Sequence, residues 1–300
     1  MSIQSEIMRL QTAKTDIGTA IVSKGVTVPV GTTLAAMPPL ISNMAIVIED
    51  GSFLAMLTNT GTIKTIPSDI TVIGTYGYYG NSNFLSSITS LPSGITSIDF
   101  NAFYGCSSLA LTSLPSGIIS IGSYAFSGCY NLALTSLPSG VISIGDNAFR
   151  NCFNLALTSL PSGITSIRSY TFNSCDSLAL TSLPSGIISI GSYAFYGCTK
   201  LALTSLPSGI TFIDFYAFQN CTNLALTSLP FGVTTINGFA FLFCSSLTTL
   251  TFQGTPTSIQ STSFNNCTNL TIINVPWSSG TVANAPWGAY NATINYNYIP

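Results

Sequence analysis

The residues best placed to do chemistry in this chain are its eight cysteines, at 106, 129, 152, 175, 198, 221, 244 and 267, each 23 residues from the next. That spacing is wrong for zinc, which needs close pairs converging on one point. A nucleophilic thiol needs a base and an electropositive setting, and the chain has no histidine and only seven Lys and Arg. The one adjacent acid pair, Glu49-Asp50, precedes Gly51 in a turn; two sequence neighbours cannot flank a substrate as glycosidase carboxylates do. No phosphate-binding loop occurs. No catalytic set, metal site or cofactor is implied, and a net charge of −2 offers no electrostatic footprint for nucleic acid. No apolar run approaches the ~18 residues of a membrane span.

What positions the cysteines is a repeat. Phenylalanines three residues earlier keep the same beat, from Phe103 to Phe264, and Leu-Pro pairs recur from Leu91-Pro92 to Leu229-Pro230. The unit reads L-P-x-G-I/V-x-x-I-x-x-x-A/T-F-x-x-C-x-x-L-A-L-T-S. A fixed period of this size marks a solenoid whose units bury their apolar faces by stacking. Mean hydropathy of +0.51 excludes disorder. Equivalent cysteines of adjacent turns stand ~5 Å apart, within disulfide reach, but all eight point the same way into the core. Free, buried thiols acting as small hydrophobes are therefore expected.

The pattern A-F-x-x-C-x-x-L followed by S-L-P-S-G-I-x-S-I-G resembles the BspA-like, or Treponema-type, leucine-rich repeat family over roughly residues 64–300. The resemblance implies a right-handed solenoid with one short parallel strand per repeat, found in surface adhesins, and no catalysis. The segment Val275–Tyr298 looks like the closing segment of such proteins. The expected organisation is an N-terminal module at 1–45, a strand-rich linker at 46–65, a solenoid at 66–274 and a cap at 275–300. Ile66–Ser90 is a degenerate first unit, with Tyr78 in the Phe slot and Asn81 in the Cys slot; Trp277 and Trp287 are expected to cover the last turn.

One departure concerns the family strand, L-x-x-I-x-I-P. The last two units obey it, but six internal units read L-A-L-T-S-L-P. Strict alternation puts Leu111, Leu134, Leu157, Leu180, Leu203 and Leu226 on the outside, an apolar stripe of the kind that marks an interface. A local bend would instead turn both Leu111 and Leu114 inward.

Ile3, Ile7, Leu10, Ile17 and Ile21 follow 3-4 spacing, an amphipathic helix long enough for a short coiled-coil seam. The stretch from Ile7 to Met44, carrying A-K-x-D-I-x-x-A-I-x-x-K-G-V-x-V-P, resembles a module near the N-termini of bacteriophage tail-fibre and baseplate proteins. The resemblance implies attachment to other tail proteins, and isoleucine at both seam positions favours a homotrimer. An ordinary helix capping the solenoid is the alternative.

Repeat-to-repeat variation concentrates in three slots around A-F-x-x-C. They hold Tyr124, Tyr170, Tyr193 and Tyr216 before the motif, Tyr104 and Tyr196 after the Phe, and Tyr130 after the Cys. Tyrosine presents a large amphipathic face at low entropic cost, so these residues are the candidate recognition surface for a host glycan or protein; stacking on their own neighbours is the competing role. The expectation is a virion recognition protein of a phage tail, with a bacterial cell-surface adhesin or an inert spacer as alternatives.

Overall fold

Most turns contribute a two-residue strand at S-I, where a serine faces out and an isoleucine faces in; Val72, Phe212 and Thr235 take the outward position in the others. The computed structural model describes residues 70–80 and 88–299, together with Ser52–Phe53 and single positions at 66, 68 and 85. The helix, its seam at Ile3, Ile7, Leu10, Ile17 and Ile21, and the Cys-slot residue Asn81 lie outside the described residues. The described chain is a parallel β-solenoid of about nine turns.

A first ladder joins β1 (Ser52–Phe53), β2 (Val72–Ile73), β3 (Ser97–Ile98), β4 (Ser120–Ile121) and β5 (Ser143–Ile144), all parallel. β1 belongs to the linker segment, and it pairs along the solenoid axis with β2. A second ladder joins β6 (Ser166–Ile167), β7 (Ser189–Ile190), β8 (Phe212–Ile213), β10 (Thr235–Ile236) and β12 (Ser258–Ile259). A third, on another side of the coil, joins β9 (Ser228–Leu229), β11 (Thr249–Phe252), β13 (Ile272–Asn274) and β14 (Thr293–Asn295). β14 lies in the C-terminal segment and extends this sheet past the last cysteine.

The strand expected at L-A-L-T-S is absent from the internal units and first forms at Ser228–Leu229. In L-A-L-T-S-L, Leu109 and Leu111 share a face two residues apart and are both fully buried. Thr112 then bends the chain, and Leu114 packs against the core as well. The bend resets the phase, so the Leu111 to Leu226 ladder is core and the exposed stripe does not exist. Ala133 N–H still donates to Leu111 O at 3.0 Å, and Ala156 to Leu134 O at 3.0 Å. Where the sequence reads T-L-T-F, alternation is unbroken and β11 is a true strand, its leucine and phenylalanine inward.

The core is a set of like-on-like columns. Tyr78 and eight phenylalanines stack nearly parallel, with centroids 5.3 Å apart for Tyr78–Phe103, 5.7 Å for Phe172–Phe195 and 5.0 Å for Phe241–Phe264. Beside them runs the cysteine column, all free and buried. From Phe103 to Phe241 each Phe carbonyl accepts two hydrogen bonds. One is from the N–H of its own cysteine, as Cys129 to Phe126 at 3.0 Å. The other is from the thiol of the next turn, as Cys152 Sγ to Phe126 O at 3.1 Å. The thiol is thus a buried donor with a fixed acceptor, which explains its direction. At the C-terminal end Phe252, Trp277 and Trp287 pack edge to face over the last turn, with Phe252 and Trp277 centroids 5.3 Å apart. The indole N–H of Trp287 donates to Ala283 O at 2.7 Å.

β5 and β6 do not pair. The unit after the gap reads S-I-R-S-Y-T-F, with buried Thr171 in the alanine slot. Its hydroxyl donates to Arg168 O at 2.9 Å. Ser263 occupies the same slot in the turn of the last cysteine, and there β10 and β12 pair. The neighbouring turn bonds persist, Phe149 N–H to Thr171 O at 2.9 Å among them.

Phe172→Ala, in mid-stack, is expected to cost about 3–5 kcal/mol, and the loss should spread to adjacent turns because each relies on the next. Thermal melting that is unchanged by the substitution would remove this column from the core.

Burial pushes the thiols of Cys129, Cys152, Cys175, Cys198, Cys221 and Cys244 up, and that of Cys267 up to about 12. Unfolded thiols titrate near ~8.5. Above that pH the native state binds more protons than the unfolded one, so stability falls as pH rises; below it the contribution is complete. The slope is ~1.4 kcal/mol per pH unit for each thiol. Urea midpoints between pH 7 and 10 should decline accordingly, and Cys152→Ala with Cys198→Ala should flatten the decline. A midpoint independent of pH would place the thiols in water.

Candidate functional site

The slot before A-F or T-F has an unusual backbone. Tyr76, Asn101, Tyr124, Asn147, Tyr170, Tyr193, Tyr216 and Phe239 all have φ between 55° and 59°. The cause is the hydrogen-bonding pattern of the turn. From Asn101 to Cys106, alternate N–H groups reach forward to the next turn and back three residues. Asn101, Phe103 and Gly105 donate to Ser123, Ala125 and Ser127, while Ala102, Tyr104 and Cys106 donate to Asp99, Asn101 and Phe103. Two left-handed residues per turn allow this alternation. The second falls on Gly80, Gly105, Gly128 and Gly197, on Asn151, Asn220 and Asn266, and on Ser174 and Phe243. Left-handed geometry suits Gly and Asn and costs other L-residues roughly 1–2 kcal/mol.

In the first slot that cost falls on aromatics. Tyr170, Tyr193, Tyr216 and Phe239 form an uninterrupted outer stack, half-buried, with centroids 4.6, 4.6 and 5.1 Å apart and planes within 18°. The guanidinium of Arg150 lies 5.7 Å from the Tyr170 centroid, on the side where Asn147 ends the stack. Tyr196 leans against Tyr193 at 5.8 Å. Partial burial, with Tyr170, Tyr216 and Tyr196 alongside, raises the Tyr193 phenol above its usual value. It is therefore a protonated donor at neutral pH. Because the rings cover one another's faces, the stack offers edges and hydroxyls at the repeat spacing.

The remaining tyrosine candidates fall elsewhere. Tyr124 and Tyr104, with centroids 6.3 Å apart, belong to an N-terminal cluster with Tyr76, Tyr79 and Phe100. Tyr130 stands on a separate corner, stacked on Phe153 at 5.1 Å. The structure therefore gathers Tyr170, Tyr193, Tyr196 and Tyr216 and divides the others between two places. Arg150 and Phe239 stand in the same variable slots of the repeat as the tyrosines, and Phe100 in a further outward slot that sequence comparison passed over. Sequence comparison also passed over Ile119, Ile142 and Ile188, 50%, 58% and 55% exposed, because the middle position of G-I-I-S-I reads as apolar core.

Charged pairs follow the repeat. Arg168 Nη1 lies 3.8 Å from Asp146 Oδ2, both half-exposed, as their separation of 22 residues requires; such a pair is worth ~0–1 kcal/mol. Among the described residues no group of three or more His, Cys, Asp or Glu could hold a metal ion, and no helix is long and apolar enough to cross a membrane.

The chain is similar to a leucine-rich cell surface protein from Faecalibacterium prausnitzii, 27% identical over 72% of each chain with a TM-score of 0.42. It is similar to the leucine-rich repeat protein of T. pallidum, 32% identical over 62% of this chain and 75% of that one, TM-score 0.42. A leucine-rich repeat protein from Bacteroides ovatus is 20% identical over 82% of this chain and 94% of that one, TM-score 0.30. No curated protein matches the chain. The BspA type leucine rich repeat region, whose members are typically non-enzymatic binding or structural proteins, matches residues 47–179 and 165–285 in six copies. With most of its length matched in this way, the chain belongs to the BspA type leucine-rich repeat family, whose members are typically surface proteins for adhesion or recognition.

Proposed function

We propose that this protein is a cell-surface recognition protein whose contact surface is the outer aromatic stack. The observation that carries the reading is the placement of Tyr170, Tyr193, Tyr216 and Phe239 at left-handed positions. Four such residues cost roughly 4–8 kcal/mol of backbone strain. Their three stacking contacts return roughly 0.5–1.5 kcal/mol each. Asparagine fills the same slot at 101 and 147 without that strain. Fold stability therefore favours asparagine here, and strain retained on outward-facing side chains points to a use outside the fold. The available chemistry is a row of phenol hydroxyls with aromatic edges, suited to a glycan or a protein surface. The family supports the same role, in the adhesin form.

The wild-type full-length chain should bind surfaces coated with mucin or with extracellular-matrix proteins, measured by surface plasmon resonance. Replacing Tyr170, Tyr193 and Tyr216 with Asn, the residue native to that slot, should weaken binding by about tenfold or more while leaving the melting temperature within a few degrees. Wild type that binds none of these surfaces sinks the recognition reading; binding retained by the triple variant moves it away from the stack.

A second reading keeps recognition but places the protein on a phage tail. It rests on the resemblance of the stretch from Ile7 to Met44, with the seam Ile3, Ile7, Leu10, Ile17 and Ile21 assembling a homotrimer or docking on another tail protein. Light scattering of the full-length chain should give a trimer, and Ile7→Asp with Leu10→Asp should give a monomer. A monomeric wild type rules out self-assembly through the seam.

A further inference from the structure

The strand face of the first sheet carries a groove of about 370 Å³. The residue after each strand forms a column along the solenoid axis, and there it reads Asp99, Gly122, Gly145, Arg168. Glycine is enforced by packing. A Cβ on Gly122 would lie 2.6 Å from the carbonyl carbon of Asp99, and one on Gly145 at 2.3 Å from Ser123 N. Two steps without side chains thus separate a carboxylate from a guanidinium. At the spacing of parallel strands, Asp99 and Arg168 stand about 14 Å apart along the axis.

Ser120 and Ser143, paired across β4 and β5, line the groove with hydroxyls. Phe100 walls the Asp99 end, 39% exposed, held edge to face between Tyr76 at 5.6 Å and Tyr124 at 6.0 Å. Arg168 lines the opposite end. Its partner Asp146 is fixed through the other carboxylate oxygen, which accepts the Ser169 N–H at 3.1 Å. One contact at 3.8 Å steers the guanidinium without occupying its five-donor fork.

Hydroxyl floor, carboxylate acceptor, aromatic wall and guanidinium are together what a sugar bearing a carboxylate requires. Over a span of about 14 Å two linked sugars share these groups: the carboxylated one takes the Arg168 fork beside Ser143, and its neighbour lays hydroxyls on Ser120 and Asp99 and a C–H face on Phe100. An extended peptide would seek unpaired backbone; β3, β4 and β5 beneath this groove pair with one another, and only the β5–β6 step at the Arg168 end does not. We propose that the groove binds a carboxylated sugar residue of an acidic glycan. The proposal deepens the recognition reading and rests on it, while using a surface distinct from the Tyr170–Phe239 stack.

The test is calorimetric titration of the full-length protein with sialyllactose and with a hyaluronan tetrasaccharide, the two sources of a sugar carboxylate, against lactose and a polyglutamate peptide. One acidic sugar should bind about tenfold or more tighter than lactose and than the peptide, and which of the two does so identifies the source. Arg168→Gln should weaken that binding by about tenfold. Ser143→Phe should abolish it by filling the floor. The equivalent residue on β8 is already Phe212, so the fold tolerates this ring; should the variant misfold, Arg168→Gln on the exposed face decides alone. Acidic sugars that bind no tighter than lactose, equal binding of polyglutamate, or an affinity unchanged by Arg168→Gln would each overturn the assignment. Coated-surface binding that survives both substitutions but is lost in the Tyr→Asn triple variant removes the groove and leaves the recognition reading standing.

Discussion

Every turn is fixed to the next through the carbonyl of one phenylalanine. That oxygen accepts an N–H from its own turn and a thiol from the following one, while the ring below it stacks on its equivalents. A donor and a ring are thereby locked at the same height, once per turn. A one-residue insertion would misplace the thiol, the ring and the isoleucine of the strand together. The constancy of 23 residues from Cys106 to Cys267 follows from that coupling.

Strict periodicity divides the molecule into columns with different freedoms. Inward columns accept one shape: Phe, Cys, Leu, and Ala with a single Thr and a single Ser. Outward columns carry whatever the backbone geometry allows. The left-handed column prefers asparagine and is filled mostly with aromatics. The column after the strand holds glycine at 74, 122, 145 and 191, at the last three of which the preceding turn passes close, and its charged members, Asp99, Arg168 and Asp214, become isolated charged points on a nearly neutral body. Asp214 shows how such a point is absorbed elsewhere: Ser192 donates to it at 2.6 Å and Asn237 at 2.8 Å. At Asp99 and Arg168 the neighbouring positions are glycines, and a groove remains.

The repeat, the family and the inward Phe and Cys columns were legible in the sequence because they depend only on period and polarity. The strand position was not. Both S-I-G and L-A-L-T-S carry apolar residues at strand spacing, and only the bend at Thr112 and its equivalents decides which of them pairs. For the same reason the Leu111 column was assignable to either face. The tyrosine slots were visible as variable positions, but their left-handed backbone was hidden. Asn101 and Asn147 in the same column are the clue, since asparagine tolerates that geometry best. The groove was invisible because it consists of what glycine leaves out.

The unpaired junction between β5 and β6 gives the rod an uneven mechanical profile. Elsewhere, force along the axis is shared by strand bonds, turn bonds and stacked rings acting in parallel. At this junction the strand component is missing, and the turn bonds and the Phe149–Phe172 stack, centroids 5.7 Å apart, carry the load. A surface protein held at one end and loaded at the other by shear would yield here first. The solenoid would part into two stiff segments, one bearing Tyr124 and most of the groove, the other bearing the Tyr170–Phe239 stack.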